Sequence, residues 1–149
     1  MTRRACARRI EQVIRAYIQA CNDANAMAIA ACFCPEGVHY FPSGNPQRSR
    51  WLGAATIGDN FAKIVGEQGG CWTVDQLLTD VARYAATLEW TRFNRERDRL
   101  VRGVDWFVFE PQTCLIQEVR TYRAAPMHLD MVRQELQDFD YAGRGYLTI

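Results

Sequence analysis

From Trp72 to Ala124 the chain runs in four long apolar-rich segments, and the last three are separated only by short polar breaks. The segments are Trp72 to Leu78, Ala82 to Phe93, Leu100 to Phe109 and Cys114 to Ala124. The turns Asn94-Arg-Glu-Arg-Asp98 and Glu110-Pro-Gln-Thr113 lie between them. Strands joined by tight turns run antiparallel, because a parallel return needs a crossover of a dozen or more residues. A four-stranded meander of this length twists and curls, and one face must be covered.

The residues before it supply the cover. Ile10, Val13, Ile14, Tyr17, Ile18 and Cys21 recur at spacings of three and four, which predicts an amphipathic first helix ending near Asn22-Asp23. Asn25 is placed to cap a second helix with apolar residues Met27, Ile29, Ala30 and Phe33, stopped by Pro35. Gly37 to Phe41 reads as a short strand, with His39 and Phe41 on one face and Val38 and Tyr40 on the other. Pro42 to Pro46 is a loop by composition. A third helix is predicted from about Thr56 to Val65, with Ile57, Phe61, Ile64 and Val65 on one side, before Gly69-Gly70 breaks the chain. The fold class is therefore α+β: a cone-shaped, curved, mainly antiparallel sheet covered by three N-terminal helices and enclosing one pocket.

The 149 residues suit a single domain, with a core over about 8–126 and a C-terminal tail at 127–149. Eighteen Lys and Arg against seventeen Asp and Glu leave a formal charge of +1, which argues against a nucleic-acid partner. Six cysteines at 6, 21, 32, 34, 71 and 114 lack the density of a secreted disulfide framework and read as buried thiols. Cys32-Phe33-Cys34 has the wrong spacing for a zinc site, and no metal is expected. The basic N-terminus has no apolar segment behind it, and no run is long enough to span a membrane, so the expected location is cytoplasmic.

The segment Val13-Ile-Arg-Ala-Tyr17-Ile-Gln-Ala-Cys-Asn22, followed by Ile29-Ala-Ala-Cys-Phe33 and the strand before Pro42, resembles the opening of the nuclear transport factor 2-like superfamily. Gly53 with Ile57 and Phe61 resembles its third helix. Gly103-Val-Asp-Trp-Phe-Val-Phe109 and Ile116-Gln-Glu-Val-Arg-Thr-Tyr122 resemble its last two strands. The superfamily includes ketosteroid isomerases, SnoaL-type polyketide cyclases, scytalone dehydratase and limonene epoxide hydrolase. A fold of this kind does not fix a reaction. The ketosteroid isomerase resemblance places Tyr17 and Asp105 where that family keeps two hydrogen-bond donors to an enolate oxygen. In that family the aspartic acid is held neutral. The position of that family's carboxylate base, just before a proline, is occupied here by Phe41. His39, two residues earlier on the same face, titrates in the right range to replace it. The epoxide hydrolase Asp-Arg-Asp set is not recognisable: its positions fall on Thr121 after Arg120, and near Trp90 and Arg92, where no Asp stands.

Each candidate also has a plain structural reading. Asp105, flanked by Val104, Trp106 and Phe107, is either a pocket carboxyl or half of an ion pair with an arginine on the next strand. Tyr17 is either a catalytic donor or a core tyrosine bonded to backbone. His39 is either a base or a satisfied, half-buried histidine, and His128 reads as solvated. Glu89 and Arg120 suggest a cross-strand pair. Phe41, Phe61, Trp72, Trp90, Arg92, Phe107 and Thr121 complete the expected substrate-binding surface, with Arg92 suited to an oxyanion or carboxylate. Phe139 to Tyr146 is a candidate pocket lid, docking element or frayed end.

Together these features predict an acid–base enzyme, an isomerase, lyase, dehydratase or cyclase, that needs no cofactor and acts on an apolar small molecule. A non-catalytic binding or assembly domain and an epoxide-type hydrolase are the alternatives. Trp106, Val108 and Tyr122 have the parity of an outer sheet face, which would suit a homodimer.

Overall fold

The computed structural model describes residues 2–42, 50–94, 99–124, 133–134 and 140–149. Helix α1 spans Arg3–Asn22, α2 Ala26–Ala30 and α3 Ala54–Gln68. The strands are β1 (Phe33–Tyr40), β2 (Arg50–Leu52), β3 (Cys71–Trp72), β4 (Gln76–Asp80), β5 (Ala85–Phe93), β6 (Leu100–Phe109), β7 (Ile116–Arg123) and β8 (Arg133–Gln134). They form one strongly curled mixed sheet in the order β2-β1-β7-β6-β5-β3, with β4 also on β5 and β8 on β6. The helices fill its concave side, giving the expected α+β cone. Among the described residues no helix is long and apolar enough to cross a membrane.

The predicted stripe of α1 is buried from Ile10 to Cys21. The Thr2 hydroxyl accepts the Ala5 amide at its N-terminus, satisfying one of the donors a helix start leaves open. Tyr17 sits in the centre of the core, edge-on to Phe33, Phe61 and Phe107. The cysteines are free thiols; Cys6, Cys21, Cys32 and Cys114 are buried, as expected of small apolar side chains.

Three local expectations change. The second helix is capped by Asn25, whose side chain accepts the Ala28 amide at 3.0 Å, but it is only five residues long. Phe33 starts β1 instead of closing the helix, and Met27 is exposed. Pro35 lies inside the strand because the β1–β7 register shifts between Phe33 and Val38, so no ladder hydrogen bond is asked of it. The run from Trp72 to Leu78 divides into β3 and β4, both on β5. The Thr73 and Asp75 amides still donate to the Thr91 and Glu89 carbonyls at 2.9 Å, so the edge stays closed. The loop expected at 42–46 lies almost wholly outside the described residues, as do 95–98 and His128.

Helix α3 crosses α2 at Gly58. A Cβ there would stand 2.3 Å from the Ala26 carbonyl oxygen, a backbone atom that cannot swing away. Gly58→Ala is therefore expected to destabilise by about 1–3 kcal/mol through overpacking, although alanine favours helix by about 1 kcal/mol. A thermal midpoint equal to or above wild type would show that the two helices separate freely.

The outer face of the sheet is partly covered by residues 140–149. Arg102 is buried there, 3% exposed, against the rings of Tyr141 and Tyr146, with its guanidinium 4.0 and 5.5 Å from their centroids. It donates to the Thr91 hydroxyl and to the Leu147 carbonyl at 2.9 Å. Thr91 donates onward to Asp75 at 2.6 Å, and the Tyr146 hydroxyl donates to Glu89. The segment therefore packs against the side of the sheet opposite the pocket and is not a lid over it. The Glu89–Arg120 pair does not form either: Glu89 takes Tyr146, and Arg120 pairs with Glu118 at 2.8 Å.

Candidate active site

Inward-facing residues of β5, β6 and β7 stack in rungs. Phe107 lies opposite Ala86 and Val119 at the closed end. The next rung holds Leu88, Asp105 and Thr121. Above it come Trp90, Gly103 and Arg123, and then Arg92 and Val101. Strand alternation puts all of these on one face, while the taper of the cone decides which of them meets open space.

The open space is a partly open cavity of about 140 Å³. Tyr17, His39, Phe41, Phe61, Trp72, Trp90, Arg92, Asp105 and Thr121 all line it. Phe107 does not. It is fully buried one rung below Asp105, against Tyr17 and Phe109, and belongs to the core. Trp51 and Arg123 line the cavity without having been expected. Arg123 shares the parity of Thr121, so alternation alone could have found it. Trp51 lies opposite His39 on the three-residue β2, too short to leave a pattern.

Among the described residues Asp105 makes no ion pair. Its Oδ1 accepts the Thr121 hydroxyl at 2.7 Å. Burial raises its pKa from the ordinary 3.8 to about 6, opposed by the Thr121 hydrogen bond and by Trp90. The Trp90 indole N–H lies close enough to favour the charged carboxyl but has no partner within hydrogen-bond geometry. The Trp90 ring packs on Gly103, where a Cβ would come within 2.3 Å of it. A residue without a side chain is what lets the indole reach toward Asp105.

His39 is 3% exposed and stands among the rings of Phe41, Trp51 and Phe61, with centroids 5.1 to 6.0 Å away. This burial lowers its pKa from 6.5 to about 3, so the imidazole is neutral near pH 7. Its Nε2 is 3.5 Å from the Thr121 Oγ1, a long contact, and its buried Nδ1 has no partner among the described residues. While Thr121 gives its proton to Asp105, its oxygen can only accept from His39. If Asp105 takes up a proton, the order can reverse. Asp105, Thr121 and His39 thus form a short relay with two proton arrangements.

Tyr17 completes the cluster from the helix side. Burial raises its pKa well above 10, followed by the neighbouring Cys21 and Asp105. Its hydroxyl therefore keeps its proton and can donate it in a hydrogen bond. No group of three or more His, Cys, Asp or Glu among the described residues is placed to hold a metal ion.

No protein-family model and no curated protein matches the chain. Solved structures do. A protein of unknown function with a cystatin-like fold from Methylobium petroleophilum PM1 is 40% identical, with a TM-score of 0.74 over 95% of this chain and 92% of that one. An NTF2-like protein of unknown function from Cytophaga hutchinsonii is 12% identical, with a TM-score of 0.61 over 76% and 88%. A putative ketosteroid isomerase from Kribbella flavida is 20% identical, with a TM-score of 0.64 over 81% and 82%. The last two likenesses speak for the fold alone. With the curled sheet, the three covering helices and these neighbours, the chain has the NTF2-like fold, and it belongs to one family with the 40% identical protein of cystatin-like fold.

Proposed function

We propose that this protein is an acid–base enzyme that moves a proton on a small, largely apolar carbonyl compound held in the pocket. The observation that carries the reading is Asp105: a carboxyl buried in an aromatic cavity, bonded to a hydroxyl and to no cation, with its pKa brought to about 6. A base poised near the working pH gives the best compromise between being unprotonated and being strong enough to act. Asp105 would take the proton, and Tyr17 would donate to the oxygen on which charge develops. His39, neutral and only weakly basic after burial, suits the far end of the Thr121 relay better than the role of primary base. Isomerisation, dehydration and cyclisation share this proton abstraction, so the reading covers the class and not one product.

The test is exchange of carbon-bound hydrogen for deuterium. A panel of ring ketones and enones is incubated with the enzyme in D2O and followed by NMR. Wild type is expected to exchange at least one compound, with a rate that rises with pH through about 6 as Asp105 ionises. Tyr17→Phe should slow exchange roughly a hundredfold or more, the size of a lost oxyanion donor. A panel that binds but never exchanges would favour a binding domain.

A further inference from the structure

The mouth of the cavity holds two arginines that the acid–base cluster does not use. Arg92 and Arg123 both line it, and neither makes an ion pair among the described residues. Arg92 packs its guanidinium over Trp72, 5.1 Å from the ring centroid, and donates to Gln68 at 3.2 Å. Its Nε is buried and donates to nothing among the described residues. Gly70 leaves the room for this arrangement: a Cβ there would lie 2.8 Å from the Trp72 ring and 3.0 Å from the Arg92 Nε. Burial, followed by the nearby charge of Arg123, pulls the Arg92 pKa below its ordinary value. Among the described residues the only carboxylate lining the cavity is Asp105, which accepts its hydrogen bond from Thr121 instead. Two like charges facing one opening, with a buried donor unsatisfied, are unfavourable until an anion joins them.

We propose that the pocket takes an amphiphilic organic anion, a single-ring carboxylate whose carboxylate is gripped by Arg92 and Arg123 while its ring lies among Trp90, Trp72 and Phe61. Arginine suits this role because its planar fork matches a carboxylate with paired hydrogen bonds. Arg123 stands one rung above Asp105 and Arg92 two rungs above it. At antiparallel strand rise these steps are about 7 and 14 Å along the sheet. A ring with a short acidic arm spans that interval, with its far edge facing Asp105, His39 and Tyr17. The cavity of about 140 Å³ fits such a body, since an apolar cavity of about 150 Å³ holds benzene. The inference names the substrate class of the site proposed above, and it can fail separately, because it concerns binding and that reading concerns proton transfer.

Phenylacetate and phenylacetamide differ only at the acid group and make the probe pair. Calorimetric titration at low ionic strength is expected to show phenylacetate binding wild type at least tenfold more tightly than the amide. Added salt should narrow the gap. Arg92→Gln and Arg123→Gln should each remove about five- to tenfold of carboxylate affinity and leave amide affinity unchanged. Arg92→Lys should keep part of it, which separates charge from lost packing. Thermal melts of each variant report whether the fold is intact. Asp105→Asn should bind phenylacetate as well as wild type or better, since it removes a like charge. Carboxylate-selective binding by wild type together with absent exchange by wild type would keep the anion site and overturn the enzyme reading. Equal affinity for acid and amide, a preference that survives both glutamine substitutions, or no binding of either probe at millimolar concentration would each overturn the proposal.

Discussion

Asp105→Asn is expected to lower turnover roughly a hundred- to ten-thousandfold, the range of general acid–base catalysis, and at the same time to stabilise the fold at pH 7. Folding raises the Asp105 pKa from 3.8 to about 6, so the native state holds this proton more tightly than the unfolded chain does. The associated stability is fully present below pH 3.8 and is lost as pH rises through 6. At neutral pH the folded chain therefore carries a penalty of about 3 kcal/mol. Asparagine carries no charge and can still accept from Thr121, so about 2 kcal/mol should be recovered, the rest going to burial of the amide. His39 acts in the opposite sense. Its folded pKa is lowered from 6.5 to about 3, so its neutral burial favours the fold above 6.5 and is opposed progressively as pH falls toward 3. Between about pH 4 and 6 one proton more on native Asp105 matches one proton fewer on native His39, and the two slopes cancel. The variant removes one side of this balance. Its stability should fall with acidification from pH 6.5, where wild type stays nearly level. Urea titrations at pH 4.5, 5.5 and 7.5 on both proteins would show it. Equal stability at pH 7.5 would mean that the carboxyl is solvated in the folded chain.

Arg102→Ala is expected to cost about 3 kcal/mol, the size of lost charged hydrogen bonds and cation–π contacts in a buried place. For a chain of this length that is a fall in thermal midpoint of about 6–12 °C. The loss comes from the outer face. Removing the guanidinium leaves Tyr141 and Tyr146 without the group they pack on, and the Thr91 hydroxyl, which bonds onward to Asp75, without its donor. Hydrogen exchange should report the release of residues 140–149, while phenylacetate affinity changes less than twofold because the cavity lies on the other side of the sheet. Arg102→Met, which keeps the stem, should lose less. Unchanged protection of 140–149 would show that other contacts hold the segment.

How much of this was legible depends on which physical signal each residue carries. The bounds of β6 follow from alternation between two turns, and they match the structure. The α1 stripe is equally legible, because every apolar residue in it points one way. Alternation also put Asp105, Thr121, Trp90 and Arg92 on the concave face, but it carries no information on depth. That is why Phe107, of the right parity, is core, while Asp105 two residues earlier meets the cavity. The parallel pairing of β1 with β7 joins segments about eighty residues apart and leaves no local trace. The division of β3 from β4 is hidden because Thr73 and Asp75 continue a strand-like pattern while using their side chains to bind Thr91. The burial of Arg102 was invisible for a related reason. An arginine on the outward parity of a strand reads as solvated until another segment folds over it.

That segment arrives late. Arg102 and Leu147 are 45 residues apart in the chain. At the usual pace of synthesis the carbonyl that Arg102 needs is made roughly 2–9 s after Arg102 itself. For the later part of that interval, once β7 is complete at Arg123, a nascent sheet has its meander in place and its outer face bare, with Arg102, Trp106 and Tyr122 on that face and no cover. Fast strand pairing is then a hazard before it is an advantage. A chain stalled or cut within that window would present a folded pocket on a sheet whose other side is still open to association.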